Sequence, residues 1–344
     1  MQIPAIASPF DATLACRLEA RINDKTKPLG SLGTLERLAR QIGLIQGSDH
    51  PVLRQSAIVV CAGDHGVTAE GISAYPQSVT WQMVENFLAG GAAINVFARQ
   101  NECALYIVDT GVNHDFGVRD GLLDRKIAPG TANFCQAPAM TAQQCASALQ
   151  AGMQFAETLQ TDVLGFGEMG IGNTTAAAAL MAAFTGVPVQ ECVGAGTGLD
   201  ARGIARKADA VTRALHLHGR ASAPLERLAA LGGFEIAFMT GAMLAAARRR
   251  KVLLIDGFIV SSALLVAAAL QPAVLEYCVF SHCSDEAGHR RMLQYLGATP
   301  LMQLDLRLGE GTGAALALPL LRAAVNFLER MATFSSASVS EKHV

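Results

Sequence analysis

Five segments of the chain concentrate the residue types that do chemistry. GFGEMGIGNTT at 165–175 runs straight into the Ala-rich stretch AAAALMAAF. A strand, a glycine-rich turn and a helix start presents free backbone N–H groups and the positive end of a helix dipole, which suits a phosphate. Gly170 and Gly172 would shape that turn, and Asn173, Thr174 and Thr175 add oxygens at the helix start. No Gly-Lys-Ser/Thr follows, and the acidic partner of a dinucleotide fingerprint is missing, so a nucleoside triphosphate is disfavoured. The plainer alternative is a tight turn with ordinary capping. VGAGTGLD at 193–200 precedes Arg202, Arg206 and Lys207. Its glycines, Gly196 and Gly198 with Thr197 between them, would let backbone approach an anion, and Lys207 could supply a point charge. Alone, this segment also reads as a flexible loop before a solvated basic helix face.

LRLGEGTGA at 306–314 places Glu310 among Gly309, Gly311 and Gly313. A carboxylate at such a strand-to-helix junction is reachable by ligand yet shielded from bulk water, and shielding raises its pKa toward the range of a general base. Glu168 offers a second carboxylate of the same kind; either could instead simply complement a helix dipole. GDHGV at 63–67 is followed by YPQSVT at 75–80. Asp64 and His65 could bind a metal, but with no further His or carboxylate at helical spacing a hydrogen-bonded pair is the better expectation, and no metal is assigned. Tyr75 and Pro76 suit a wall for a flat aromatic ligand. In SHCSDEAGH at 281–289 a hydrolase triad is conceivable, but no G-x-S-x-G elbow is present, so Ser284 is better placed to donate to a phosphate.

These loops follow short apolar runs at 57–61, 105–109, 162–166, 252–255, 277–280 and 301–306, most of them leading into helical patterns. Continuous apolar strands alternating with helices predict an α/β fold with a doubly wound, Rossmann-like parallel sheet covered on both faces. In such sheets ligands sit beyond the carboxyl ends of the strands, where this sequence gathers its Gly, Asp, Glu, His and Ser. Residues 1–50 and 320–344 look helical and are expected to form a smaller subdomain from both chain ends, leaving 51–319 as the large catalytic domain. The polar tail 335–344 is expected to fray.

Composition narrows the function classes. Of 344 residues, 51% are hydrophobic and 16% charged, which excludes a disordered or solvating polypeptide. A net charge of -2 gives no drive toward nucleic acid or anionic lipid. A mean hydropathy of +0.31 makes residues 252–270 worth testing as a membrane span, but Asp256, Gly257, Ser261 and Ser262 inside it favour a buried strand, turn and helix. The N-terminus shows no basic segment followed by a long apolar one, so the cytoplasm is expected. The eight cysteines carry no C-x-x-C and read as buried reduced thiols.

KPLGSLGTLERLA at 27–39, GDHGV, YPQSVT, GEMGIGNTT, VGAGTGLD, DGFIVSSA at 256–263, SHCSDEAGH and RLGEGTGAALA at 307–317 together resemble the nicotinate-nucleotide–dimethylbenzimidazole phosphoribosyltransferase family of cobalamin synthesis. Several of these motifs are individually loose, but their joint order across residues 25–325 is highly specific. The resemblance implies transfer of 5-phosphoribosyl from nicotinate mononucleotide to 5,6-dimethylbenzimidazole, without a cofactor, in a homodimer. It implies phosphate contacts at Gly170, Gly196, Lys207 and Ser284, and an aromatic base near Tyr75, Ser78, Gln82, Asn86, Met169 and Leu308, with Glu310 as proton acceptor. Ala195 departs from the pattern, since members often carry Arg there. A transferase using phosphoribosyl pyrophosphate would need an acidic pair after an apolar strand, which has no good match. A non-catalytic phosphate-binding module would need the glycine loops but neither Glu310 nor Glu168.

Overall fold

The computed structural model describes residues 2–196 and 198–340. Within them lie six strands, β1 (Ser56–Gly63), β2 (Ala104–Gly111), β3 (Leu122–Asp124), β4 (Val163–Met169), β5 (Val252–Ile255) and β6 (Cys278–Phe280). All pair in parallel in the order β3-β2-β1-β4-β5-β6. This is the expected doubly wound α/β sheet. Every residue of β1 is buried, because helices cover both faces and no side chain of that strand reaches water. The helix Phe234–Arg248 is apolar on nearly its whole circumference, and so are Asn173–Thr185 and Phe258–Leu270, as fully enclosed helices must be.

Strand order reverses between β1 and β4, whose ends meet with Cys61 opposite Glu168 and Ala62 opposite Met169. The chain leaves the sheet in opposite directions on either side of that line, so a crevice opens there. The turns after β4, β5 and β6 all lead toward it.

Residues 252–270 form strand, turn and helix as expected, and among the described residues no helix is long and apolar enough to cross a membrane. Residues 301–306 do not form the expected strand. Leu301 and Met302 donate to Phe280 and Ser281, giving a single bridge between Met302 and His282, and Asp305 then takes a left-handed φ of 53° that no strand accommodates. The remaining strand is β3, a three-residue edge too short to stand out in the sequence. The helices Ala12–Asn23 and Thr34–Gln46 lie with Thr312–Arg330, tied by an Arg21–Glu329 ion pair of 3.1 Å and a Lys25–Thr333 bridge. Thr312–Arg330 runs unbroken through Pro319, so one element joins this cluster to the crevice. Of the tail expected to fray, Phe334–Ala337 form a helical turn anchored by Phe334 N–H to Asp24 O; residues 341–344 lie outside the described residues.

Candidate active site

A cleft lies at the strand ends, and it brings together Glu168, Met169, Gly170, Asn173, Thr174, Gly196, Ser284 and Leu308 from the expected residues. A small side pocket adjoins it, lined by Gly170, Gly172, Asn173, Thr174, Ala195, Gly196 and Lys207 among others. Thr197 lies outside the described residues.

The side pocket has the chemistry of an anion hole. Lys207 is only 1% exposed, and its ammonium donates to Thr174 Oγ1 at 2.8 Å and Gly194 O at 3.4 Å. The solvated-face reading of Lys207 is therefore wrong, whereas Arg202 and Arg206 do face water. Burial lowers the Lys207 pKa to about 8, with the Glu286 carboxylate opposing the fall. Asn173, Thr174 and Thr175 open the helix Asn173–Thr185, whose dipole adds to the positive field, although the Asn173 and Thr175 N–H groups are already bonded to Gly170 O and Gly172 O. Gly170 packs against Gly63 O so closely that an added Cβ would come within 2.3 Å of it. Ser284 lines the adjoining main cleft rather than this pocket. Its N–H donates to His289 Nδ1 at 2.8 Å and its hydroxyl accepts from Glu286 N–H at 3.3 Å, leaving its own proton free. Glu286 in turn accepts the Gly196 N–H at 3.1 Å and so fastens the glycine loop.

The carboxylates sit at the other end. Glu168, the penultimate residue of β4, receives a hydrogen bond from Asn173 Nδ2. Burial, with Asp256, Glu235 and Glu310 nearby and the Asn173 bond opposing, raises its pKa to about 8. Glu310 stands between two glycines with φ of 81°, 63° and 83° at Gly309, Glu310 and Gly311. A non-glycine residue in this region is costly and persists only where its surroundings enforce it, which marks functional sites. The turn is enforced on both sides: a Cβ at Gly309 would lie 2.2 Å from Glu168 Oε1, and one at Gly167 would lie 2.3 Å from Glu310 O. Glu310 does not line the cleft itself. Its carboxylate turns toward Ile94 N–H, at the start of the helix Ala93–Gln100, and its Oε2 is buried with no hydrogen-bond partner. Burial raises its pKa to about 7, with Ile94 N–H opposing and Asp256 adding to the rise.

The expected base-binding residues divide. Met169 and Leu308 line the cleft, while Tyr75, Pro76, Ser78 and Gln82 stand exposed on and before the helix Val79–Leu88, with Asn86 half-buried on its last turn. That helix is held to the β4 turn by Ile171 N–H donating to Thr80 Oγ1, and Gly91 N–H donates to Asn86 O just before Ile94. Glu310 thus faces the start of the next helix, Ala93–Gln100, rather than the helix that carries them. Gly311 and Gly313 do not line the cleft: Gly311 N–H donates to Asp256, and Gly313 packs under His282. Gly198 lies on the loop outside both cavities. Asp64 and His65 do not pair with each other. His65 Nε2 bonds Glu235 Oε1 at 2.7 Å in full burial, and Asp64 accepts Asn113 N–H at 2.8 Å. Burial alone would lower the His65 pKa, but Glu235 holds it above the usual value. Among the described residues no three His, Cys, Asp or Glu groups converge on a point that could hold a metal.

Sequence reasoning missed Asp256, Glu235, His282 and Glu286 as members of this site. All four are buried: Asp256 follows β5, Glu235 is on the helix Phe234–Arg248, and His282 and Glu286 share the loop after β6. The DG step at the end of a fully apolar strand was the available signal for Asp256.

An open parallel sheet, an anion pocket at its switch point and two carboxyl groups with raised pKa values beside it define a group-transfer enzyme acting on a phosphorylated small molecule. The chain belongs to the phosphoribosyltransferase family DBI_PRT, whose model matches residues 7–339. It is 64% identical over 341 residues to the nicotinate-nucleotide–dimethylbenzimidazole phosphoribosyltransferase of Janthinobacterium sp. (strain Marseille), covering 98% of this chain and 99% of that one. It is 58% identical to the protein of the same name from Aromatoleum aromaticum, again over 341 residues, 98% of this chain and 99% of the relative. A crystal structure of the Thermus thermophilus phosphoribosyltransferase of that name superposes with a TM-score of 0.92 at 46% identity, over 97% of this chain and all of the other.

Proposed function

We infer that this enzyme transfers 5-phosphoribosyl from nicotinate mononucleotide to 5,6-dimethylbenzimidazole, giving nicotinate and α-ribazole 5'-phosphate with inversion at the anomeric carbon, for the nucleotide loop of cobalamin. The names of its relatives and the cleft chemistry support the same reaction. The observation with most weight is Glu310, a buried carboxyl with an unpartnered oxygen and a pKa near neutrality. One benzimidazole nitrogen attacks the anomeric carbon, the bond to the pyridinium nitrogen breaks, and its electron pair cancels the ring's positive charge. The other benzimidazole nitrogen loses its proton to Glu310. The 5'-phosphate sits in the side pocket of Gly170, Thr174, Gly196 and Lys207, where it meets the main cleft and its Ser284, and this holds ribose in line for displacement. Glu168, mostly protonated at neutral pH, can donate to a ribosyl oxygen while Asn173 fixes its other end. Incubation with both substrates should release nicotinate only when dimethylbenzimidazole is present; no release would overturn the assignment.

With Glu310 as base, kcat/KM should rise about tenfold per pH unit below about 7, because only the ionised carboxylate accepts the proton, level off just above it, and fall above about 8, where Lys207 loses its charge and Glu168 its proton. A flat profile between pH 5 and 9 would remove Glu310 from that role. Activity should also survive exhaustive chelation, since the leaving group carries its own activating charge. Loss with EDTA and recovery with a divalent ion would overturn this metal-free route.

The resemblance supports a homodimer, and Tyr75, Val96 and Leu308, all about half exposed, provide apolar surface around the site for a second copy. Light scattering in solution tests it. The two chain ends, 1–50 with 320–344, are proposed as one helical subdomain, and the eight unpaired cysteines suit a reducing compartment such as the cytoplasm.

A further inference from the structure

Asp256 is close enough to both Glu168 and Glu310 for its charge to act on them, and it touches the backbone that presents Glu310. It follows β5, is 2% exposed and lines the cleft. Its Oδ2 accepts Gly311 N–H at 3.2 Å and its Oδ1 accepts Ala314 N–H at 3.0 Å. Both donors belong to the start of the helix Thr312–Arg330, so a residue from another strand caps this helix. Gly311 directly follows Glu310, and the bond to it pins the three-residue left-handed turn.

We propose that Asp256 is a positioning residue for the reaction, whose ionised carboxylate fixes the Glu310 turn and keeps a buried negative charge beside Glu310 and Glu168. Two backbone N–H groups and a helix N-terminus stabilise that anion where it stands. A buried like charge disfavours a second ionisation nearby, so Asp256 raises the proton affinity of both glutamates. The groups facing this cluster act as follows. Glu168 approaches from β4 and Glu310 from the turn, while Glu235, on the helix Phe234–Arg248, adds negative charge on the Glu168 side. His282 approaches from the loop after β6, with Nε2 3.5 Å from Asp256 Oδ1. Behind His282 stands His289, held neutral by burial and bonded to Ser284 N–H and Ser261. The cluster is therefore rich in carboxyl groups, and Asp256 is the one with two backbone donors of its own.

The inference rests on the reaction proposed above, and two measurements separate its failure from failure of that reading. Asp256→Asn removes the charge at nearly constant shape. The acid limb of its kcat/KM profile should move down by about half a pH unit or more, and kcat at the plateau should fall roughly tenfold. Asp256→Glu keeps the charge but not the reach, so its limb should stay in place while its rate falls. A reduced rate with an unmoved limb in Asp256→Asn would leave only a helix cap and overturn the proposal. The resting enzyme offers a test that needs no substrate: carbon-13 titration of labelled glutamate carboxyl groups in the parent and in Asp256→Asn. The Glu310 titration should move down from about 7 in the variant, and a Glu310 that titrates where it does in the parent would overturn the proposal whatever the enzyme turns over.

Discussion

Glu310→Gln is expected to lower kcat by about 10²-fold or more, the usual scale for losing a general base. Glutamine keeps the shape and can still accept from Ile94 N–H, so the left-handed turn and its bonds to Asp256 should remain. The KM for nicotinate mononucleotide should change little, because Glu310 lies outside the phosphate pocket. Stability gives a second readout with a definite sign. The folded pKa of about 7 exceeds that of an unfolded glutamate, so the native chain binds more protons between these values and the parent loses stability as pH rises through that window. Gln has no such loss, and the variant should be more stable than the parent at pH 8 by up to a few kcal/mol, an order set by about 1.36 kcal/mol per unit. Circular dichroism melts at pH 5 and pH 8 with steady-state kinetics check both. Parental turnover would pass the role to Glu168.

The sequence carries the sheet wherever a strand is buried on both faces, because such strands are continuous apolar runs: β1, β2, β4, β5 and β6 all begin within a few residues of those runs. It fails at the sheet margin. Residues 301–306 have strand composition but are bent out of register at Asp305, and β3 is held by pairing with β2 rather than by its own pattern. The glycine loops are legible because phosphate chemistry needs them locally. The buried polar residues behind them are not, since Asp256, Glu235 and His282 acquire meaning only from partners 55, 170 and 26 positions away. His282 illustrates how such a distance works: it lies beside Asp256 because β5 and β6 are neighbours.

Lys207 was readable in one respect that charge alone conceals. On the helix Ala201–Leu217 the buried positions are Gly203, Lys207, Ala210, Val211 and Ala214, a stripe at helical spacing with the lysine inside it. A lysine there must either be an error of packing or hold an anion, and its bonds to Thr174 and Gly194 aim it at the side pocket. Lys207→Met preserves length and apolar packing while removing the charge. It should raise the nicotinate mononucleotide KM by roughly ten- to a hundred-fold, since a charge-assisted contact contributes about 1.5–3 kcal/mol. The dimethylbenzimidazole KM should move much less, because that substrate carries no phosphate. Stability should move the other way. Burial lowers the lysine pKa to about 8 from an unfolded value near 10.4, so the unfolded chain binds more protons between them and the parent gains stability as pH rises through this range. The Met variant lacks that gain and should be the more stable protein at pH 7, by an amount on the order of a few kcal/mol. Kinetics with each substrate varied separately, and melts at pH 7 and pH 10, decide it. A residue that binds substrate at the expense of the fold gives weaker nucleotide binding together with a higher Tm, whereas a lysine serving only the fold gives an unchanged nucleotide KM and a lower Tm.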